Sequence, residues 1–156
     1  MHTDRFTPLD AATLLRWMQH DLPNKQLFGI DRELFFMPKP DDPFRMERYG
    51  KVLETPLGVA AGPHTQLAQN ILSAWLCGAR YIELKTVQVL DELNVAKPCI
   101  DMADEGYNCE WSQELKLDQS FEEYLKAFVL LYVLRDMLNL PVEAAPGKGP
   151  GFIFNM

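Results

Sequence analysis

Lys85 and Thr86 are adjacent residues whose types and position suggest chemistry most directly. They fall within Tyr81 to Val89, a run rich in β-branched and aromatic residues that predicts a strand. The pair lies at or near the carboxyl end of that strand, where open sheets and barrels bind their ligands. A buried lysine there could meet the anionic edge of a cofactor or act as a Schiff-base nucleophile, whereas a lysine that extends into solvent would do neither.

Small and amide side chains provide further candidate positions. Ala60, Ala61 and Gly62 end an apolar run that begins at Leu57, and their size would let a flat ring approach the backbone closely. Ordinary tight packing of a strand against a helix explains the same residues. Asn108 could donate and accept in one plane, as recognition of an amide edge on a heterocycle requires, or it could simply form a turn.

The remaining motifs do not predict a metal or phosphate site. Asp101, Asp104 and Glu105 fit no calcium-binding pattern and are more typical of a solvated acidic loop. The glycine-rich run GKGPG lacks the spacing of a phosphate-binding loop and is interrupted by proline. The three cysteines contain no CxxC pair, which argues against a zinc site or a disulfide framework.

The elements around the candidate residues predict an α/β fold with a parallel sheet. The apolar run from Leu57 is followed by a helix that Thr65 can cap and that Gly78 ends, and then by the strand from Tyr81. A strand, a helix and a strand within roughly 33 residues form a βαβ unit. Further strands are expected near Asn108 and Phe152, which makes about four readable strands.

Two helices and a ribbon complete the prediction. Thr7 is expected to cap an N-terminal helix that Pro23 ends, and Arg48 to Glu54 is expected to form a short ribbon that turns near Gly50. Ser120 opens a capping box for a helix to about Leu138 that is apolar almost all round. Its side chains are therefore expected to be inaccessible, among them Phe121, Leu125, Phe128 and Leu131.

Length and charge exclude several classes of protein. With 156 residues, the chain is too short for a complete (β/α)8 barrel, which needs about 250. The net charge of −7 gives no indication of the basic face that a nucleic-acid-binding protein needs. The longest apolar run, AFVLLYVL, is too short to cross a membrane, and the charged opening residues do not form a signal peptide. A cytoplasmic location is expected.

The sequence resembles the first two βα units of dihydroorotate and dihydropyrimidine dehydrogenases through ETPLGVAAGP at Glu54 to Pro63 and GARYIELKTV at Gly78 to Val87. It is more similar to the amino-terminal, dihydroorotate-dehydrogenase-like part of the family of putative selenate reductase subunits. The motifs of that second resemblance are AAGPHTQLAQN, ELKTVQVLD, KPCID, EWS, EEYLKAF and the closing FIFNM.

The resemblance implies a flavin-binding TIM barrel within a longer redox protein. Residues 1–45 would be a helical, wrapping extension, and 46–156 the first half of the barrel, truncated at its carboxyl end. In the related dehydrogenases the residues matching Ala60, Ala61 and Gly62 lie against the flavin. Those matching Lys85 and Thr86 contact FMN, and the one matching Asn108 touches the substrate.

The same resemblance implies functions that this segment does not supply. A catalytic Cys or Ser base and the phosphate-binding loops would come from a later part of the barrel. Electrons would pass through FAD and iron–sulfur domains downstream or in partner subunits, with a small, heterocyclic substrate at the flavin. A lyase or aldolase that uses Lys85 in a Schiff base and a non-catalytic redox scaffold are the alternatives. The open strand edges of a half-barrel are expected to promote self-association.

Overall fold

The computed structural model describes residues 7–39, 41–62, 64–85, 115–140 and 151–155, and the backbone of 100–101 and 107–108. The helices are α1 (Ala11–Asp21), α2 (Ala68–Leu76) and α3 (Leu117–Met137), and two short 3-10 turns follow α1 and β2. The strands are β1 (Gln26–Leu27), β2 (Ile30–Asp31), β3 (Met46–Arg48), β4 (Lys51–Leu53), β5 (Gly58–Ala60), β6 (Tyr81–Glu83), β7 (Ile100–Asp101), β8 (Tyr107–Asn108) and β9 (Ile153–Asn155).

A three-stranded parallel sheet in the order β5-β6-β9 is the centre of the fold. Val59 lies opposite Ile82, and Ile82 lies opposite Phe154, so these three side chains share one face. Helix α2 connects β5 to β6, and α3 lies in the connection from β6 to β9, as expected for crossovers between parallel strands. This is the arrangement of successive β/α units in a TIM barrel.

The expected fourth strand lies outside this sheet. Asn108 belongs to β8, which pairs in antiparallel fashion with β7, Asn108 opposite Ile100. The described part of the parallel sheet therefore has three strands, with β5 and β9 on its outer edges. A short polar segment such as Tyr107–Asn108 can pair with a nearby strand in a hairpin, and strand propensity alone does not distinguish that partner from a neighbour in the main sheet.

The ribbon predicted around Gly50 is confirmed. Strands β3 and β4 pair with Arg48 opposite Lys51, so Tyr49 and Gly50 form a two-residue turn. Both have positive φ, 51° and 70°, which is the backbone that a hairpin turn of this length favours. Glycine accepts this backbone without steric cost.

The three predicted helix caps are wrong, although the helices are present. Helix α1 is capped by Asp10, whose carboxylate accepts from the backbone N–H of Thr13 at 2.8 Å, not by Thr7. Helix α2 starts after Leu67 and has no capping side chain of its own. The buried carboxylate of Glu123 in α3 accepts instead from the N–H of Ala68 at 2.8 Å. Only tertiary contact could place that group there.

Helix α3 begins at Leu117 with Lys116 as its N-cap residue, so Ser120 lies inside the first turn and does not open the capping box predicted for it. Its core-facing side chains include Ala127, Leu130, Leu131 and Leu134, which pack in one cluster with α1, α2 and the sheet. Phe121 and Leu125 were expected inside, but they are 62% and 52% exposed, and Phe128 is partly exposed. The apolar residues of α3 lie on every side of the helix, so their spacing in the sequence does not indicate which face is buried.

Replacement of Leu131 by alanine is expected to lower the free energy of unfolding by about 2–5 kcal/mol, because the buried side chain leaves a cavity. Leu125→Ala, in the same helix, is the matched control and is expected to change it by about 0.5 kcal/mol or less. Urea unfolding followed by circular dichroism measures both. Equal losses from the two variants would contradict the observed orientation of α3.

The part of the chain that the structure describes contains no helix that is both long enough and apolar enough to cross a membrane.

Candidate functional site

The carboxyl ends of β5, β6 and β9 meet at one edge of the sheet because the strands are parallel. At this edge Ala60 lies opposite Glu83, and Glu83 lies opposite Asn155. Since side chains alternate along a strand, this row lies on the face opposite Ile82, away from the helices. In barrels that face is the interior, and its carboxyl end is where ligands bind.

The predicted small residues are at this edge and leave space beside it. Ala60 is exposed, and Ala61 is buried with its N–H donating to the carbonyl of Glu83 at 2.8 Å. Among the residues that the structure describes, a Cβ added to Gly62 would meet no heavy atom within 4 Å apart from those of its chain neighbours. The methyl group of Ala61 packs in the core cluster on the helix side of the sheet. The strand end therefore offers an open surface made of the Ala60 methyl group and the backbone at Gly62, which a planar ring could approach.

Lys85 lies two residues beyond β6, next to this strand end. It is partly buried, and its backbone N–H donates to Oε1 of Gln66 at 2.9 Å. The preceding N–H, that of Leu84, points the other way, to the carbonyl of Asn155 at 2.6 Å. The two bonds extend the sheet pattern past β6. They fix the backbone from which the lysine side chain begins.

Thr86 and Asn108 are the other two predicted site residues. Thr86 lies outside the described residues, so its predicted contact with FMN stays a prediction. Asn108 is located by its backbone alone, in β8 opposite Ile100, and its predicted contact with the substrate also stays untested.

Gln66, which is buried, and Tyr124, which is partly buried, form a hydrogen-bonded pair next to Lys85 that was not predicted. Gln66 is fully buried, and its Oε1 accepts both the N–H of Lys85 and the hydroxyl of Tyr124, the latter at 2.7 Å. Burial, together with the negative charge of Glu123, raises the pKa of Tyr124 to about 12. The phenol is therefore protonated at neutral pH and can donate to Gln66.

Glu83 and Asn155 are polar residues of the interior face that sequence analysis did not select. A signal for Glu83 was available, because it precedes Lys85 by two residues in a predicted strand and so shares its face. Asn155 has no comparable local signal. Only the pairing of β6 with β9 brings it beside Glu83.

The amino terminus of α2, which could in principle hold an anion, already has a carboxylate of the chain on it. Oε2 of Glu123 accepts from Ala68, and Oε1 is paired with the ammonium of Lys126. The partial positive charge of the helix end is therefore neutralised from within. This helix end does not favour a phosphate.

A surface cavity of about 590 Å³ is lined by residues of the N-terminal segment, which precede β5 in the sequence. Its lining is made of polar and charged side chains, namely Asn24, Lys25, Asp31, Arg32 and Glu33. Small-molecule sites are mostly apolar with a few placed polar groups, so this lining is a weaker candidate than the sheet edge.

Comparison with known proteins gives a match over most of the chain. Residues 28–156 match the family described as "Oxidoreductase YgfK, N-terminal TIM-barrel domain". The proteins named "Putative oxidoreductase YgfK" from Escherichia coli K12 and from Escherichia coli O157:H7 are each 48% identical over 132 residues. That alignment covers 85% of this chain but 12% of the relatives, so the chain spans about an eighth of their length. No solved structure matches the chain.

Proposed function

We propose that this chain, which belongs to the family of the N-terminal TIM-barrel domain of the oxidoreductase YgfK, forms the first β/α units of an FMN-binding oxidoreductase barrel. The observation that carries the proposal is the position of Lys85 beside the strand end Ala60-Ala61-Gly62. The small residues end strand β5, and Lys85 follows its parallel neighbour β6. The backbone N–H of Ala61 donates to the carbonyl of Glu83 and so joins the two strand ends. The proposal includes the relationship to dihydroorotate dehydrogenases and to selenate reductase subunits that the motifs suggest.

The residues at this edge fit a flavin in shape and polarity. The exposed methyl group of Ala60 and the open space at Gly62 suit a planar ring, which would meet Ala61 through its backbone because the Ala61 methyl group packs in the core. Gln66 has a buried Nε2 with no acceptor among the described residues, which is a donor that a ring carbonyl or ring nitrogen could use. Lys85, and Thr86 by its place in the motif, would hold the polar edge of the cofactor.

The proposed reaction is hydride transfer between FMN and a small, heterocyclic substrate. FMN, when bound, would supply the hydride acceptor or donor, and the positive charge of Lys85 would stabilise the negative charge that develops on the ring on reduction. The chain's own part is to position the ring through Ala60, Ala61 and Gly62 and to place the charge of Lys85. Asn108 is the proposed substrate contact. The base, the phosphate site and the FAD and iron–sulfur partners are assigned to other parts of the longer protein.

Replacement of Lys85 by methionine in the complete protein is expected to weaken FMN binding about tenfold or more, or to lower the reduction potential of the bound flavin, without unfolding the protein. The reason is the loss of a charge-assisted contact, each of which is worth about 1.5–3 kcal/mol. Fluorescence titration with FMN and potentiometry measure the two effects. Lys51→Met, in the ribbon strand β4, is the control and is expected to change neither.

The same preparations distinguish the alternatives. A colourless wild-type protein from which borohydride traps a carbonyl substrate on Lys85 would support the lyase or aldolase. A colourless protein that gives no adduct would support the scaffold. If Lys85→Met leaves the FMN affinity and the reduction potential unchanged, the assignment of Lys85 to the flavin site is wrong.

A further inference from the structure

The side chain of Gln66 is completely buried, and only one of its two polar atoms has a hydrogen-bond partner among the described residues. Its Oε1 accepts two hydrogen bonds, from the backbone of Lys85 and from Tyr124, but its Nε2 has no acceptor among the described residues. A buried donor without an acceptor destabilises the folded state, because it has lost its hydrogen bonds to water without replacing them. Such an atom requires an explanation, and a functional role is one of the recognised explanations.

The orientation of this carboxamide is determined by its neighbours. A backbone N–H only donates, so the atom that faces Lys85 must be Oε1 and not Nε2. Tyr124 then donates to the same oxygen from the side of α3. With the oxygen held from both sides, the nitrogen cannot exchange places with it to satisfy itself.

The position of Gln66 connects it to the proposed flavin site. It lies in the loop between β5 and α2, four residues beyond Gly62, and its oxygen extends the ladder between β5 and β6 by one bond past the pair Ala61–Glu83. The carboxamide therefore lies at the carboxyl ends of the two strands that carry the small residues and Lys85.

We propose that Gln66 is a flavin-binding residue whose Nε2 donates a hydrogen bond to an acceptor atom of the FMN ring, with Tyr124 as the positioning residue that holds it. The inference rests on the proposed function. It adds a contact that neither the motifs nor the family description assign. Gln66 has a second effect through its oxygen, because the bond to the N–H of Lys85 couples the position of the lysine to that of the ring contact.

The test compares the complete wild-type protein with four single-substitution variants. FMN is the probe. Gln66→Glu keeps an acceptor for Lys85 and Tyr124 but removes the donor, and Gln66→Met removes both. Tyr124→Phe removes only the bond that positions the amide. Gln26→Glu, in the hairpin strand β1, is the control for an added carboxylate. Thermal unfolding and circular dichroism establish that each variant is folded.

We expect Gln66→Glu and Gln66→Met to bind FMN about tenfold more weakly or worse and to shift the visible spectrum of any flavin that stays bound. Tyr124→Phe is expected to lose about threefold, and Gln26→Glu is expected to behave as wild type. If Gln66→Glu does not fold, Gln66→Met gives the same comparison.

FMN affinity and spectrum unchanged in a folded Gln66→Glu or Gln66→Met would overturn the inference while the proposed function stands. So would equal losses in Tyr124→Phe and in the Gln66 variants, since the pair would then be only a structural support. A wild-type protein that binds no FMN would overturn the proposed function, and this inference with it.

Discussion

Glu54→Leu is expected to destabilise the chain by about 3–5 kcal/mol, because it leaves two buried guanidinium groups without their carboxylate. Oε2 of Glu54 accepts from Nε of Arg80 at 2.5 Å, and Oε1 accepts from Nη2 of Arg135 at 3.0 Å. All three residues are at least nine-tenths buried. Arg80 also stacks on Trp75, with its guanidinium carbon 4.5 Å from the ring centroid.

This cluster is a structural feature rather than part of the candidate site. Arg80 directly precedes β6, so the cluster lies at the amino ends of the parallel strands, opposite the edge that holds Lys85. In TIM barrels that end contributes stability and the carboxyl end contributes chemistry. Urea unfolding measures the loss, and Glu47→Gln, at an exposed position of β3, is the control with an expected change of about 0.5 kcal/mol or less.

The same carboxylate makes stability depend on pH. Burial by itself raises the pKa of Glu54, but the hydrogen bonds and charges of Arg135 and Arg80 outweigh it, so the pKa lies below its ordinary value. A lowered pKa in the folded state stabilises the fold above the ordinary pKa of the carboxyl, and this stabilisation is lost as the pH falls through the lowered value. Glu54→Gln is therefore expected to show a shallower loss of stability in acid than wild type.

A Glu54→Gln variant within about 1 kcal/mol of wild type at neutral pH, with the same acid sensitivity, would contradict this account of the cluster.

The 156-residue chain is expected to bind FMN at least about a hundredfold more weakly than a polypeptide that completes the barrel. The described residues form three parallel strands, whereas a closed barrel has eight, and barrel enzymes frequently bind phosphate on the loops after strands 7 and 8. The end of α2 does not replace those loops, because Glu123 already caps it. Parallel titrations of the two proteins with FMN, followed by flavin fluorescence, measure the ratio.

Riboflavin, which lacks the phosphate, is the matched probe for this comparison. The two proteins are expected to differ less for riboflavin than for FMN, because the loops after strands 7 and 8 of a barrel act mainly on the phosphate. Tight, stoichiometric binding of FMN by the 156-residue chain would show that the proposed location of the site is wrong.

Local signals were sufficient for the central βαβ unit. The small residues that end at Gly62, the helix that Gly78 ends with φ of 103°, and the strand that leads to Lys85 were all predicted from the sequence. Each depends on residues close together in the chain, through turn chemistry, alternation or helical spacing. The Tyr49-Gly50 turn was predictable for the same reason.

Long-range contacts explain what could not be predicted. Sequence spacing did not indicate which face of α3 is buried, because apolar residues lie on every side of it. Glu123 acts as the cap of α2 across 55 residues, and Tyr124 reaches Gln66 across 58. Neither residue carries a local pattern that distinguishes it from the other polar residues of this helix.

The sequence by itself determined the parallel α/β architecture and placed Ala60, Ala61, Gly62 and Lys85 at strand ends, since these depend on short-range conformational preference. Only the tertiary structure decided that Asn108 pairs in a hairpin and that Gln66 holds the backbone of Lys85. It also decided that Glu54 joins two arginines. The physical reason is that a buried polar group is satisfied by whichever partner the packing brings within about 3 Å, and that partner can lie anywhere in the chain.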